Sequence, residues 1–178
     1  CYFLKKAELK KGVTYIGKGA FKGCSSLSFA VIPDGVAFIG EKAFFGCSAL
    51  QKVTLPESVT ELHTSTFENC SSLLKAELRG VKTIGDRAFY NCAALSEISF
   101  SPSLKEIGAF AFSVNTSLEK VTLPPNIELV SDKAFSRCTS LKTVTVFSEA
   151  LKMSATALDG CTSLYAIYGS SAFSSEAA

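Results

Sequence analysis

Seven thiols and one imidazole are the groups in this chain best suited to chemistry. A cysteine can bridge to another, ligate a metal or attack a substrate, and His63 could serve such a nucleophile as its base. The cysteines, however, all stand in one phase: Cys1, Cys24, Cys47, Cys70, Cys92, Cys138 and Cys161, with successive gaps of 23, 23, 23, 22, 46 and 23 residues. Asn115 occupies the vacant place in the double gap. Three residues after each place comes a leucine, at Leu4, Leu27, Leu50, Leu73, Leu95, Leu118, Leu141 and Leu164. Three residues before it, from Cys24 on, stands Phe21, Phe44, Phe67, Phe89, Phe112, Phe135 or Leu158. A period of this length held along a chain marks a solenoid. Thiols in one phase of a solenoid are expected to lie buried under a turn and to act as small hydrophobes.

That placement argues against each chemical use. Stacked side chains point in parallel, whereas a disulfide needs converging Cβ vectors, and seven is an odd count. Zinc is disfavoured because no C-x-x-C pair occurs and a single histidine cannot complete a tetrahedral set. Neither a metal nor a cofactor is therefore expected. His63 falls where other units carry glycine and is expected to be exposed in a turn, with no cysteine or serine placed to form a dyad. The serines Ser26, Ser72, Ser117, Ser140 and Ser163 are expected to bond turn backbone rather than attack a substrate. Asn69-Cys70-Ser71 and Asn115-Thr116-Ser117 match a glycosylation pattern, but Asn115 falls on a core place, so both read as chance matches. No Gly-rich phosphate loop occurs. The chain reads as no enzyme.

The elements that hold these residues follow from one unit, L-x-x-V-x-L-P-x-x-V-x-x-I-G-x-x-A-F-x-x-C-x-S. Its clearest copy has Leu50, Val53, Leu55, Pro56, Val59, Leu62, Phe67, Cys70 and Ser72. Alternation at Val53, Thr54 and Leu55 predicts a short strand with Thr54 outward. Pro33, Pro56, Pro102 and Pro124 end these strands, because proline cannot donate to a ladder. A second extended piece follows, as at Val36 with Ile39. Gly17, Gly40, Gly85 and Gly108 share one turn position where positive φ is expected. The A-F-x-x-C segment has room for about one helical or 3-10 turn. One unit is a residue short at Leu78-Arg79-Gly80-Val81, a loop deletion that should leave the core columns in phase. No unit can bury its own apolar residues, so about seven units must stack, with strands in a parallel sheet on one face and phenylalanines opposite.

Composition agrees. The chain has 178 residues, 47% hydrophobic and 19% charged, enough to bury a continuous core. A net charge of +2 makes no case for nucleic acid. No apolar run approaches the roughly 18 residues that cross a bilayer, so no transmembrane segment is expected in this chain. No signal peptide or initiating methionine is present, which reads as a mature form or an excised piece.

These residues resemble the BspA-like leucine-rich repeat family, whose units carry the same F-x-x-C-x-S-L core and L-P turn. The match runs from Cys1 to about Ile167. The resemblance implies a leucine-rich repeat solenoid of the β-rich α/β class, of about 23 residues per repeat, in proteins often found on bacterial and protist surfaces and associated with adhesion to host matrix or other cells. It carries no catalytic residues. The whole of 1–178 is expected to be one solenoid, with 1–23 a truncated first repeat and 165–178 a C-terminal cap that lacks the family's usual proline. Cys1 has two readings: a lipid-modified start, or a residue of a solenoid cut within its repeats. Leu4, Ala7, Leu9, Val13 and Ile16 fall in phase directly behind it, which favours the second. The first strand is then an exposed end open to end-to-end contact.

A ligand would be read by outward strand residues. Two adjacent columns hold Lys6, Phe29, Lys52, Lys75, Glu97, Lys120, Thr143 and Ala166, and Glu8, Val31, Thr54, Glu77, Ser99, Thr122, Thr145 and Tyr168. From these, Phe29, Val31, Lys52, Thr54, Lys75, Glu77, Glu97 and Lys120 are the candidate ligand-binding residues. Tyr15 with Phe38 forms a second apolar group, and Phe45 and Tyr90 are expected on the far side. Together these point to a protein- or glycan-binding module of a cell-surface or secreted protein. An intracellular protein-interaction scaffold in the cytoplasm and a passive stalk are the alternatives.

Overall fold

A computed structural model describes residues 1–169 of the chain. Its strands run β1 (Lys6–Glu8), β2 (Tyr15–Ile16), β3 (Phe29–Val31), β4 (Phe38–Ile39), β5 (Lys52–Leu55), β6 (Glu61–Leu62), β7 (Lys75–Leu78) and β8 (Thr83–Ile84). They continue as β9 (Glu97–Ser99), β10 (Glu106–Ile107), β11 (Lys120–Leu123), β12 (Leu129–Val130), β13 (Thr143–Val146), β14 (Lys152–Met153) and β15 (Ala166–Gly169). Odd-numbered strands pair in parallel on a front face, in ladders β1-β3, β5-β7-β9 and β11-β13-β15. Even-numbered strands pair in parallel as β2-β4 and β6-β8-β10-β12-β14, a narrow second sheet. Each repeat thus contributes one front strand, one short second strand and a turn segment. The chain is a parallel-strand solenoid of leucine-rich repeat type. Among the described residues no helix is long and apolar enough to cross a membrane.

Registers repeat the sequence period. Lys6 pairs with Phe29, Lys52 with Lys75, and Lys120 with Thr143. Across the short repeat Lys75 pairs with Glu97 and Leu62 with Ile84, so the deletion leaves the columns in phase as expected. Val59, Val81 and Leu104 are all fully buried on either side of it. The lost residue is absorbed at Gly80, where an added Cβ would stand 2.0 Å from the Glu57 carbonyl oxygen. Only glycine lets the shortened loop lie that close to the loop before it.

The core is a set of columns. Phe21, Phe44, Phe67, Phe89, Phe112 and Phe135 stack ring on ring at 5.0–5.2 Å between centroids, close to the strand spacing. Leu27, Leu50, Leu73, Leu95, Leu118 and Leu141 are buried beneath the front strands. Phe100, which ends the front strand segment of its repeat, meets Phe112 edge-on at 5.7 Å.

Where spacing left room for a helical or 3-10 turn, the structure has overlapping tight turns. In one repeat the amides of Ala43, Phe45 and Cys47 each donate to the carbonyl three residues back, at 3.1 Å. The intervening amides of Lys42, Phe44 and Gly46 donate instead to Thr64, Thr66 and Glu68 of the next repeat, at 3.1, 2.9 and 2.8 Å. A helix would satisfy all these amides internally and leave none to lace repeats together. The alternation needs left-handed backbone twice per repeat, as at the third residue of a type II turn. One column of such residues is Gly19, Lys42, Ser65, Arg87, Phe110 and Lys133; the other is Gly23, Gly46, Asn69, Asn91, Val114, Arg137 and Gly160, and all have φ between 53° and 73°.

These columns correct one expectation. Gly17, Gly40, Gly85 and Gly108 do not take positive φ. At three of them glycine answers to close approach instead. A Cβ on Gly40 would lie 2.6 Å from Lys18 N, one on Gly85 2.7 Å from Leu62 O, and one on Gly108 2.6 Å from Asp86 Oδ1. At Gly17 the nearest atom is only the Tyr15 ring edge, at 3.3 Å. Of the segment expected to cap the C-terminus, residues 165–169 include β15, paired to β13, and the rest lies outside the described residues.

Replacing Phe89 by alanine removes a fully buried ring stacked on both sides. It should cost about 3–5 kcal/mol by denaturant unfolding; a loss below about 1 kcal/mol would contradict the stacked core.

Candidate interaction faces and the thiol column

The cysteine places are structural. Cys24, Cys47, Cys70, Cys92 and Cys138 are buried, Cys161 is half-buried and Cys1 is exposed, all as free thiols. From Cys47 on, each thiol donates to the carbonyl of the phenylalanine one repeat before. Cys47 reaches Phe21 O at 3.1 Å, and Cys70, Cys92, Cys138 and Cys161 reach Phe44, Phe67, Phe112 and Phe135 O at 3.2 Å. Each of those carbonyls also accepts the amide of the cysteine in its own repeat where the Phe21, Phe44, Phe67 and Phe135 turns close. Asn115 breaks the pattern. Its Oδ1 accepts the Cys92 amide at 2.8 Å, while its Nδ2 is buried without a partner.

Burial, reinforced by neighbouring Cys24, pushes the Cys47 thiol up to about 12. Burial likewise raises Cys70 and Cys92 well above the usual thiol range, and contact with Cys161, then burial, raises Cys138. A thiolate nucleophile is thereby suppressed at Cys47, Cys70, Cys92 and Cys138, whereas the hydrogen bond with Cys138 lowers the half-buried Cys161. His63 is half-buried rather than exposed. Its ring lies 4.8 Å from Phe38 and its Nδ1 3.2 Å from Glu61 Oε1. Phe38 in turn stacks on Tyr15 at 4.7 Å with planes 3° apart, so Tyr15, Phe38 and His63 form one aromatic row beside the second sheet. The row was half visible in the sequence; His63 joins it because it sits two residues past the aromatic column, one repeat on, on the same side of the strand as Glu61.

The serine column departs from expectation. Among the described residues no side-chain hydrogen bond comes from Ser26, Ser72, Ser117, Ser140 or Ser163. Hydroxyls one place earlier make these bonds, Ser48 to Ser25 O and Thr116 to Ala93 O. At the serine places it is the backbone amides of Ser72 and Ser117 that donate across repeats. Phe45 and Tyr90 lie on the turn face, half-buried, under Lys22 at 5.5 Å and Arg87 at 4.0 Å. Arg87 also grips Glu68 through Nε at 3.1 Å and Nη2 at 2.7 Å. Burial would raise the Glu68 carboxyl, yet the bonds from Arg87 and Ser65 hold it below its ordinary value.

The eight front-face candidates fall on β3, β5, β7, β9 and β11. Five of them form one network. Glu77 takes Lys52 at 3.0 Å, Lys75 at 3.7 Å and the Thr54 hydroxyl at 3.3 Å, and Lys75 reaches Glu97 at 3.1 Å. Arg79, off the strand, joins Glu77 at 3.8 Å. Lys52 is the main cause of a lowered Glu77 carboxyl, and Glu97 of a raised Lys75. Beside the network Phe29 and Val31 project from β3, 49% and 40% exposed, with Lys6 Nζ 5.6 Å over the Phe29 ring and paired to Glu8 at 2.6 Å. Lys120 makes no ion pair among the described residues. The face is an apolar pair bordered on both sides by ion pairs.

The profile of the BspA type leucine rich repeat region matches the chain in six copies, over residues 1–92 and 78–175. Comparison with curated proteins returns no match. Among solved structures, a leucine rich cell surface protein of Faecalibacterium prausnitzii A2-165 is similar at 24% identity and TM-score 0.67, over 94% of this chain and 60% of that one. A leucine-rich repeat protein of Bacteroides ovatus is 26% identical, with TM-score 0.60 over 95% of this chain and 56% of that one. The T. pallidum leucine rich repeat protein is 26% identical, with TM-score 0.63 over 92% and 69%. The chain therefore spans less than two thirds of the length of the first two.

Two measurements check the thiol column. Asn115→Cys should raise stability in urea, by no more than about 1 kcal/mol, because it removes an unpaired buried donor while the Cys92 amide, losing Asn115 Oδ1, can turn to the Phe89 carbonyl as the equivalent amides do in other repeats; lower stability would mean that the Asn115–Cys92 bond outweighs the orphaned donor. A thiol raised in the folded state stabilises fully below its unfolded value and loses that contribution as pH climbs toward the folded one. Between about pH 9 and 12, Cys47 should therefore cost about 1.4 kcal/mol of stability per pH unit. Cys47→Ala should flatten the fall between about pH 9 and 10.5 by that slope, and an unchanged profile would place the thiol in solvent.

Proposed function

The chain belongs to the BspA type leucine-rich repeat family, and from that premise we propose that it is a non-enzymatic binding module of a cell-surface or secreted protein. Its ligand is a protein of the host matrix or of another cell, docked on the front sheet. The observation that carries this reading is the exposed Phe29–Val31 pair set between Lys6–Glu8 and the Glu77 network. An apolar centre with a charged rim is the make-up of a protein docking surface. The rim ions are already paired with one another, so they favour orientation of a partner more than capture of a single charge. The backbone beneath is laddered to neighbouring strands, on both sides at β7 and β13, which supports recognition with little change of shape. Leucine-rich repeats are typical protein-interaction modules, and this too favours a protein over a glycan on this face. Contact through the first repeat, where Tyr2 and Phe3 are 74% and 93% exposed, is a further part of the same proposal.

Binding of the purified, labelled chain to an array of matrix proteins and glycans, at physiological salt, tests the reading. Saturable binding to a protein ligand should weaken at least about tenfold in the variant carrying Phe29→Ala and Lys52→Ala, with the melting temperature unchanged. Retained affinity in that variant would move the site off the front sheet. No binding to any surface protein would favour an intracellular scaffold or a passive stalk.

A further inference from the structure

The turn face carries one place that differs from its neighbours. The residue after each core phenylalanine is in turn Lys22, Phe45, Glu68, Tyr90, Ser113 and Ser136, with Asp159 following Leu158. Phe45, Glu68 and Tyr90 fill their places and are covered by Lys22 or Arg87. Ser113 and Ser136 do not, and two small side chains in succession leave a hollow of about 350 Å³. Arg87, Tyr90, Phe110, Lys133, Arg137 and Asp159 border it, Arg87 being already held by Glu68. The serines are among its lining residues, 2% and 6% exposed, with their hydroxyls 2.8 Å apart. Two hydroxyls sharing one hydrogen bond keep one proton free to donate.

The left-handed backbone common to every repeat is filled here by two residues poorly suited to it. Of the second left-handed column, Gly23, Gly46, Asn69, Asn91 and Gly160 are residues that tolerate this conformation. Val114, with φ 65°, is β-branched and does not, and Phe110 stands at 55° in the first column. Both border the hollow. The charges are also available there. Lys133 lies 5.7 Å over the Phe110 ring, and neither it nor Arg137 makes an ion pair among the described residues.

We propose that this hollow binds an acidic sugar, the end of a carboxylated or sulfated glycan. Lys133 and Arg137 take the anionic group. The Ser113–Ser136 pair donates to a ring or hydroxyl oxygen, Asp159 accepts from sugar hydroxyls, and the edges of Tyr90 and Phe110 meet the apolar side of the ring. Asp159 is the discriminating group: an acceptor among cations repels a compact, multiply charged anion such as phosphate and favours one with hydroxyl donors. The volume lies at the low end for small-molecule sites, which suits one or two sugar rings. No residue is shared with the front sheet, so failure here leaves the protein-docking proposal standing.

Calorimetric titration with glucuronic acid, N-acetylneuraminic acid and 6-sulfo-N-acetylglucosamine tests this, with N-acetylglucosamine and inorganic sulfate as controls. At least one acidic sugar should bind saturably and at least about tenfold more tightly than either control. The variant with Lys133→Gln and Arg137→Gln should lose about tenfold or more at unchanged melting temperature. Ser113→Tyr, which places in the hollow the residue found one repeat earlier, should abolish binding; if it fails to fold, the charge variant decides. Absence of binding by every acidic sugar, equal binding of inorganic sulfate, or full affinity in the charge variant would each overturn the proposal.

Discussion

Everything in this molecule depends on the distance at which one repeat can hydrogen-bond to the next. Parallel strands set that distance near 4.8 Å, and each other column has to be filled by groups that tolerate it. Aromatic rings do so by lying face to face at 5.0–5.2 Å. Thiols do so by reaching back to a carbonyl that has a lone pair to spare. Amides on the turn face do so by alternating between their own repeat and the next. The same distance explains why glycine is needed at Gly40, Gly85 and Gly108: backbone meets backbone there more closely than a Cβ allows.

Much of this is legible in the residues. Leucine, phenylalanine and cysteine announce their columns because each column is nearly uniform, and the short repeat announces itself because all columns shift together after Leu78. The turn segment was not legible in the same way. Left-handed backbone at Lys42, Arg87 or Phe110 leaves no mark in side-chain type, since neighbouring repeats dictate the conformation and the residue merely endures it. Only the companion column, with Gly23, Gly46 and Asn69, carries the usual signature.

The surface was legible in position but not in pairing. Alternation on β5 and β7 places Lys52, Thr54, Lys75 and Glu77 outward, and so they are. That Lys52 answers Glu77 across the ladder, rather than standing free, depends on diagonal reach between strands and on rotamers. A serine doublet such as Ser113 and Ser136 is equally silent until its column is read against Phe45 and Tyr90. Concavity in a repeat protein is a departure from the column, so it shows itself only against its neighbours.

The lacing of the turn face has a direction. Lys42, Phe44 and Gly46 donate toward the C-terminal neighbour, whereas Gly40 and Ser28, beside the sheets, donate toward the N-terminal one. The two ends of any such stack are therefore chemically unlike, one presenting donors where the other presents acceptors. A twofold axis that set like segments against like would bring donor rows to face donor rows. Translation alone matches the rows. Contacts made through an end, with segments in register, are thus heterologous, and they extend a filament rather than close a symmetric pair.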